Sequence, residues 1–159
     1  MIDIRPAAPA DVPLVLALVR ELAAYEREPD GVTATEPMLD HALFGETPLA
    51  EAVIAELDGV PVGFALFFQN FSTWTGRPSL YLEDLYVREA ARGRGAGKAL
   101  LRHLARVALE RNCTRFEWSV LDWNEPAIAF YRTMGAEPMD QWTVQRVSGD
   151  ALVQLAGCN

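Results

Sequence analysis

The periods at which apolar and polar positions recur along the chain identify its elements. Residues 2–5 read as a short strand closed by Pro6, whose ring removes a ladder donor. Past Asp11, placed as an N-cap, Leu14, Leu18, Leu22 and Tyr25 recur on one helical face. That helix ends near Glu28-Pro29-Asp30-Gly31, a run of turn-forming residues. A second, short helix starts after Thr35, its cap, with Pro37 in the first turn and His41 on its solvated surface. Strand-like segments occupy 52–57 and 60–71, and Asp58-Gly59 between them signals a hairpin. A polar and aromatic loop spans 70–78, after which 80–87 resumes as a strand. A charged, Gly-rich turn over 88–97 leads into a helix at 98–111. That helix points Leu101, Leu104, Ala105 and Ala108 inward and Arg102, Arg106 and Glu110 outward. A strand at 116–121, a helix at 126–134 stopped by Gly135 and a strand at 142–147 complete the order. Helices flanking one mixed, mostly antiparallel sheet, with a βαβ-like second half, make an α+β fold.

Composition narrows the function. The 159 residues are 50% apolar and 23% charged, enough for one domain over 1–159 with its own core and no need of a metal or disulfide staple. With 22 acidic against 14 basic residues, the formal charge of −8 argues against a nucleic-acid partner and is compatible with a cationic ligand. Cys113 and Cys158 read as reduced thiols. The N-terminus lacks the basic and apolar regions of a leader, and the apolar stretch at 62–68 is too short to span a bilayer, so a soluble cytoplasmic protein is expected. No His, Cys and Asp cluster has metal-ligand spacing, and no metal is expected.

The richest segment is Arg92-Gly93-Arg94-Gly95-Ala96-Gly97-Lys98, between a strand and a long helix. Glycines let successive backbone amides approach an anion, and a helix N-terminus adds a favourable dipole. The segment is therefore either a pyrophosphate cradle or a tight turn with solvated arginines. A nucleotide P-loop needs Ser or Thr after Gly97-Lys98, where Ala99 stands. A dinucleotide fingerprint starting at Gly93 needs glycine at Lys98. What remains, Arg-x-x-Gly-x-Gly, resembles the pyrophosphate-binding motif of the GNAT N-acetyltransferase superfamily.

The resemblance extends to Tyr81-Leu82-Glu83-Asp84, to Asp122-Trp123-Asn124-Glu125-Pro126, to Ala127-Ile128-Ala129-Phe130-Tyr131, and to Tyr25-Glu26 and Phe44-Gly45-Glu46. Over nearly the whole chain it is similar to the diamine (spermidine/spermine) acetyltransferases and their thialysine-acetylating relatives. It implies acetyl-CoA as donor, held by the edge of Leu85, Tyr86 and Val87, by Arg92 to Lys98, and by Asn124, Pro126, Ala127 and Tyr131. It implies a substrate site of Tyr25, Glu26, Glu83, Asp84, Glu117, Trp118, Ser119 and Asp140. Glu83 is the implied proton acceptor and Tyr131 the implied donor to the departing sulfur. A homodimer is implied as well.

Each of these residues also has a plainer reading. Strict alternation sets Tyr81, Glu83, Leu85 and Val87 on one face of a strand and Leu82, Asp84 and Tyr86 on the other, and an edge strand would leave both acids solvated. Tyr131 suits a core aromatic beside Ala127 and Met134. Asn124 suits an N-cap, Tyr25 the last core residue of its helix, and Trp118 the core. Cys113, with no His near it in sequence, is read as structural. The chemistry nevertheless asks for carboxylates. An ammonium of pKa near 10.4 costs roughly 4–5 kcal/mol to deprotonate at neutral pH, and attack on a thioester needs the free base. Carboxylates hold the cation yet raise its pKa, so a base must offset them. The expected reaction is direct acetyl transfer in a ternary complex to a lysine-like amino acid, or to a diamine or polyamine. A non-catalytic acyl-CoA sensor and a protein-lysine acetyltransferase are the alternatives.

Overall fold

The computed structural model describes residues 1–158. The chain folds as two compact units, Met1–Trp123 and Asn124–Asn159. The first holds β1 (Ile2–Pro6), α1 (Val12–Tyr25), α2 (Glu36–Phe44), β2 (Glu51–Leu57), β3 (Val60–Ser72), β4 (Arg77–Val87), α3 (Ala96–Glu110) and β5 (Phe116–Glu117). The sheet runs in the order β1-β2-β3-β4-β5, antiparallel except for the parallel β4–β5 pair. The mixed, mostly antiparallel α+β sheet expected from the sequence is therefore present.

Its hairpins follow from local chemistry. Asp58 (φ 51) and Gly59 (φ 81) adopt the two left-handed positions of a tight β2–β3 turn. The β3–β4 hairpin is longer than the sequence suggested: β3 runs to Ser72 and β4 starts at Arg77, which leaves only 73–76 as a turn. Gly76 N donates to Ser72 O at 2.9 Å there. At Gly63 a Cβ would lie 2.5 Å from Tyr86 O, so this position in β3 admits no side chain without moving β4.

Both sheet faces are covered. Val15 and Leu18 of α1 and Leu43 of α2 pack on Ile54, Phe64 and Leu66. Residues of opposite parity, Val53, Ala55, Ala65 and Phe67, are buried on the other face, where α3 lies across β1 to β4. The inward face of α3 is Leu100, Leu101, Leu104 and Ala108; Ala105, expected inside, is exposed. Leu100, Leu104 and Ala108 are spaced by four and form one ridge, and Ala105 lies one turn past Leu101 on the neighbouring ridge, where burial ends.

Asp11 stands at the N-cap position of α1 as expected, but its side chain makes no capping bond to the helix. A 3-10 turn, Pro9–Asp11, precedes the helix, and the Asp11 carboxylate accepts from Ala8 N and pairs with Arg5 at 2.7 Å, which lowers its pKa. Arg5 also reaches Glu56 at 2.7 Å, tying β1 to β2. Thr35 caps α2 as expected, accepting from Met38 N. The strand expected at 116–121 is reduced to β5, because only Phe116 and Glu117 align with Leu80 and Tyr81.

In the second unit, α4 (Glu125–Thr133) follows Asn124, whose side chain accepts from Ala127 N, and Gly135 (φ 88) lies just past its end. The strand expected at 142–147 is not formed: these residues are exposed and join no strand of the described sheet. The sequence pattern also gave no sign of α5 (Gly149–Leu155). No described helix is long and apolar enough to cross a membrane, and no described group of three or more His, Cys, Asp or Glu could hold a metal.

Candidate active site

The site starts from an irregularity in β4. Asp84 pairs with Leu66, but Phe67 pairs with Leu82, so Glu83 is the extra residue of a β-bulge. Strict alternation would place Leu82 and Asp84 on one face. The bulge inverts the phase, leaving Leu82 buried opposite Phe67 while Asp84 and Tyr86 turn to the face carrying Leu66, Phe64 and α1. One inserted residue thereby delivers a carboxylate to the helix side, and Glu83 itself is exposed.

Opposite Asp84, α1 ends in a paired-hydrogen-bond turn. Glu28 N donates to Ala23 O at 2.9 Å and Arg27 N to Ala24 O at 3.1 Å, with Arg27 left-handed at φ 67. This turn and Asp84 border a cavity of about 510 Å³, lined further by Leu22, Glu26, Arg27, Leu121 and Trp123. Burial, and then the negative charges of Glu83 and Glu26, push Asp84 up to about 6; burial also raises Glu26. A carboxylate disfavoured in this way gains from a cation brought beside it. The cavity thus suits an ammonium group.

Aromatic rings stiffen its rim. Tyr25 and Trp123 have centroids 6.2 Å apart, and the Arg27 guanidinium lies 3.8 Å from the Trp123 ring centre. Arg92 sits over Tyr25 at 4.8 Å and Tyr86 at 5.8 Å, while its Nε donates to Val87 O at 3.0 Å. Sequence reasoning named neither Arg27 nor Trp123 as a site residue. The one signal in the sequence was an arginine where a helix terminus prefers glycine.

The Gly-rich turn has the form a diphosphate needs. Gly93 (φ 76) and Gly95 (φ 90) are left-handed, and a Cβ on either would meet no atom within 4 Å. The space over the turn is open. Ala99 N donates to Gly95 O at 2.9 Å, while among the described residues the amides of Gly93 to Lys98 donate to no protein acceptor. Arg94 and Lys98 are exposed beside them, Ala96 is buried beneath, and Gly97 is the second residue of α3. These amides at a helix N-terminus can take a diphosphate.

The strand beside the turn is open too. β5 aligns with β4 only at Leu80 and Tyr81, and beyond that point no described strand pairs with this edge of β4. Leu85, Tyr86 and Val87 align with β3 along one side, and on the other Val87 O already accepts from Arg92 Nε. Such an edge can receive an extended amide-bearing chain. Of the other expected site residues, half-buried Glu117 ends β5. The Trp118 ring lies 5.0 Å from Phe116, and Ser119 Oγ is 3.2 Å from Tyr81 OH. Within the second unit, Asn124 is buried, and Glu125, Pro126 and Ala127 open α4. Tyr131 is half-buried with its ring 5.6 Å from that of Phe130, and Asp140 is exposed in a turn.

A model of the acetyltransferase (GNAT) family matches residues 16–136. The chain is 39% identical to thialysine N-epsilon-acetyltransferase of Sus scrofa, over 97% of this chain and 96% of that protein. It is 31% identical to L-ornithine N5-acetyltransferase NATA1 of Arabidopsis thaliana, over 98% of this chain and 88% of that one. Among solved structures, the integron cassette protein VCH_CASS6 from the mobile metagenome of V. cholerae superposes with a TM-score of 0.80 at 29% identity, covering 98% of this chain and 97% of that one.

Proposed function

Given that the chain belongs to the acetyltransferase (GNAT) family, we propose that it transfers the acetyl group of acetyl-CoA directly to a primary amine of a small cationic acceptor, within a ternary complex. The observation that carries this reading is the desolvated acid pair Glu26 and Asp84 facing one cavity of about 510 Å³. Relatives named for thialysine and ornithine favour a lysine-like amino acid as acceptor, with diamines and polyamines next.

Bound acetyl-CoA would supply an acetyl group activated as a thioester. The amides of Gly93 to Lys98 would hold its diphosphate, with Arg94 and Lys98 adding charge, and the free edge of Leu85 to Val87 would align its amide arm. Asn124, Pro126 and Ala127 complete this proposed set. Glu26 and Asp84 would hold the acceptor ammonium, and the family resemblance adds Tyr25, Glu117, Trp118, Ser119 and Asp140 to the proposed acceptor set. Glu83, exposed at the bulge and therefore in contact with water, would accept the proton the amine must lose, directly or through one water. Tyr131 would return a proton to the departing sulfur. We read the chain as one catalytic domain that works as a cytoplasmic homodimer, by the family resemblance.

A panel of amines incubated with acetyl-CoA and followed by thiol release tests the reading. Turnover with thialysine, L-lysine or L-ornithine is expected. Coenzyme binding without turnover on any amine would replace it with a sensor, and acetylation confined to protein tails would replace it with a protein-lysine acetyltransferase.

A further inference from the structure

We propose that Arg27 sets acceptor specificity by taking the α-carboxylate of a diamino acid whose side-chain ammonium is held by Glu26 and Asp84. The inference rests on the acetyl-transfer reading above and sharpens it. The cavity borders one cation as well as its acids, and the guanidinium of that cation lies on Trp123, 3.8 Å from the ring centre. Stacking occupies the face of a guanidinium and leaves its N–H edge free for a carboxylate. Among the described residues Arg27 forms no ion pair, although Glu26 and Glu28 flank it in sequence.

The backbone supports the same assignment. Arg27 sits at φ 67 in the helix-ending turn, a position that favours glycine and strains other residues by on the order of 1 kcal/mol. The chain thus carries a long cation at a position where its fold would prefer no side chain. The turn places this cation directly after Glu26, so opposite charges leave adjacent residues at one rim. A ligand with an ammonium at one end and a carboxylate at the other satisfies both. A plain diamine would instead bring its second ammonium toward Arg27, where like charges repel.

L-lysine and cadaverine differ by that carboxylate alone and form the test pair. The parent enzyme is expected to favour L-lysine in kcat/KM. In Arg27→Gln the lysine-to-cadaverine ratio of kcat/KM should fall about ten- to a hundredfold, the worth of one charge-assisted contact, through a higher KM for lysine and a lower one for cadaverine. Arg27→Gly, which suits the left-handed turn and removes the concern of misfolding, should behave alike, and Arg27→Lys should recover part of the ratio. A ratio unchanged in both Arg27→Gln and Arg27→Gly, or a parent that prefers cadaverine, overturns the role of Arg27 while leaving acetyl transfer intact. A parent that acetylates no amine at all overturns both readings.

Discussion

Replacing Asp84 with Asn should stabilise the protein at neutral pH and leave it no more stable in acid. The Asp84 carboxyl has a pKa of about 6 in the folded chain against 3.8 for the unperturbed group, first through burial and then through Glu83 and Glu26. Between these values the native state binds more protons than the unfolded one, so stability falls as pH rises from about 4 through 6. The shift of roughly two units corresponds to about 3 kcal/mol, an upper limit because Asp84 keeps some contact with water. Urea denaturation of the parent and of Asp84→Asn at half-unit steps from pH 4.5 to 8 measures the gap. It should be about a third of its full size at pH 4.5, vanish only well below the unperturbed carboxyl range, and reach its full size above pH 7, moving the midpoint by roughly 1–2 M urea. The same variant should weaken acceptor binding, since the ammonium loses a partner. Parallel pH profiles for the two proteins would refute the argument that the bulge delivers a desolvated charge to this cavity.

Tyr131→Phe should lower turnover by about 10²–10⁴-fold while calorimetric affinity for coenzyme A persists; unchanged turnover removes Tyr131 from the reaction. Gly95→Ala places a side chain at φ 90, so it should cost roughly 1–2 kcal/mol in thermal melts and, by intruding on the open cradle, weaken coenzyme A binding at least tenfold in titration calorimetry. Gly63→Ala forces a Cβ against Tyr86 O and should cost about 1–3 kcal/mol by denaturant unfolding.

How much of this was legible in the sequence depended on how local each signal was. The Asp58-Gly59 hairpin, the Thr35 cap and the strand-to-helix glycine turn each carry their cause within a few residues, and all three are present. The bulge at Glu83 was hidden, because unbroken alternation through 80–87 is what the sequence displays. Only the offset against β3 reveals the extra residue. Residues 142–147 alternate as a strand would, but alternation supplies a face and not a neighbouring strand, and no described strand aligns with them. Asp11 looked like a cap until Arg5, brought near by the strand, took its carboxylate. Of the candidate site, the glycine turn and the acids are named by the sequence alone. The cation at 27 is not, since its meaning comes from Trp123, nearly a hundred positions away, on which it lies.

The divergence of β5 from β4 after two aligned residues has a kinetic consequence. From Leu82 onward, β4 is braced by β3 along one margin while no described strand covers the other, so the berth proposed for an incoming arm belongs to the sheet and not to a loop that must be ordered first. Docking there resembles closing a zipper whose first row of teeth is already anchored. The ordering of that row was completed when the chain folded, so the capture rate should be governed by diffusion and alignment of the visitor, with little delay from the host.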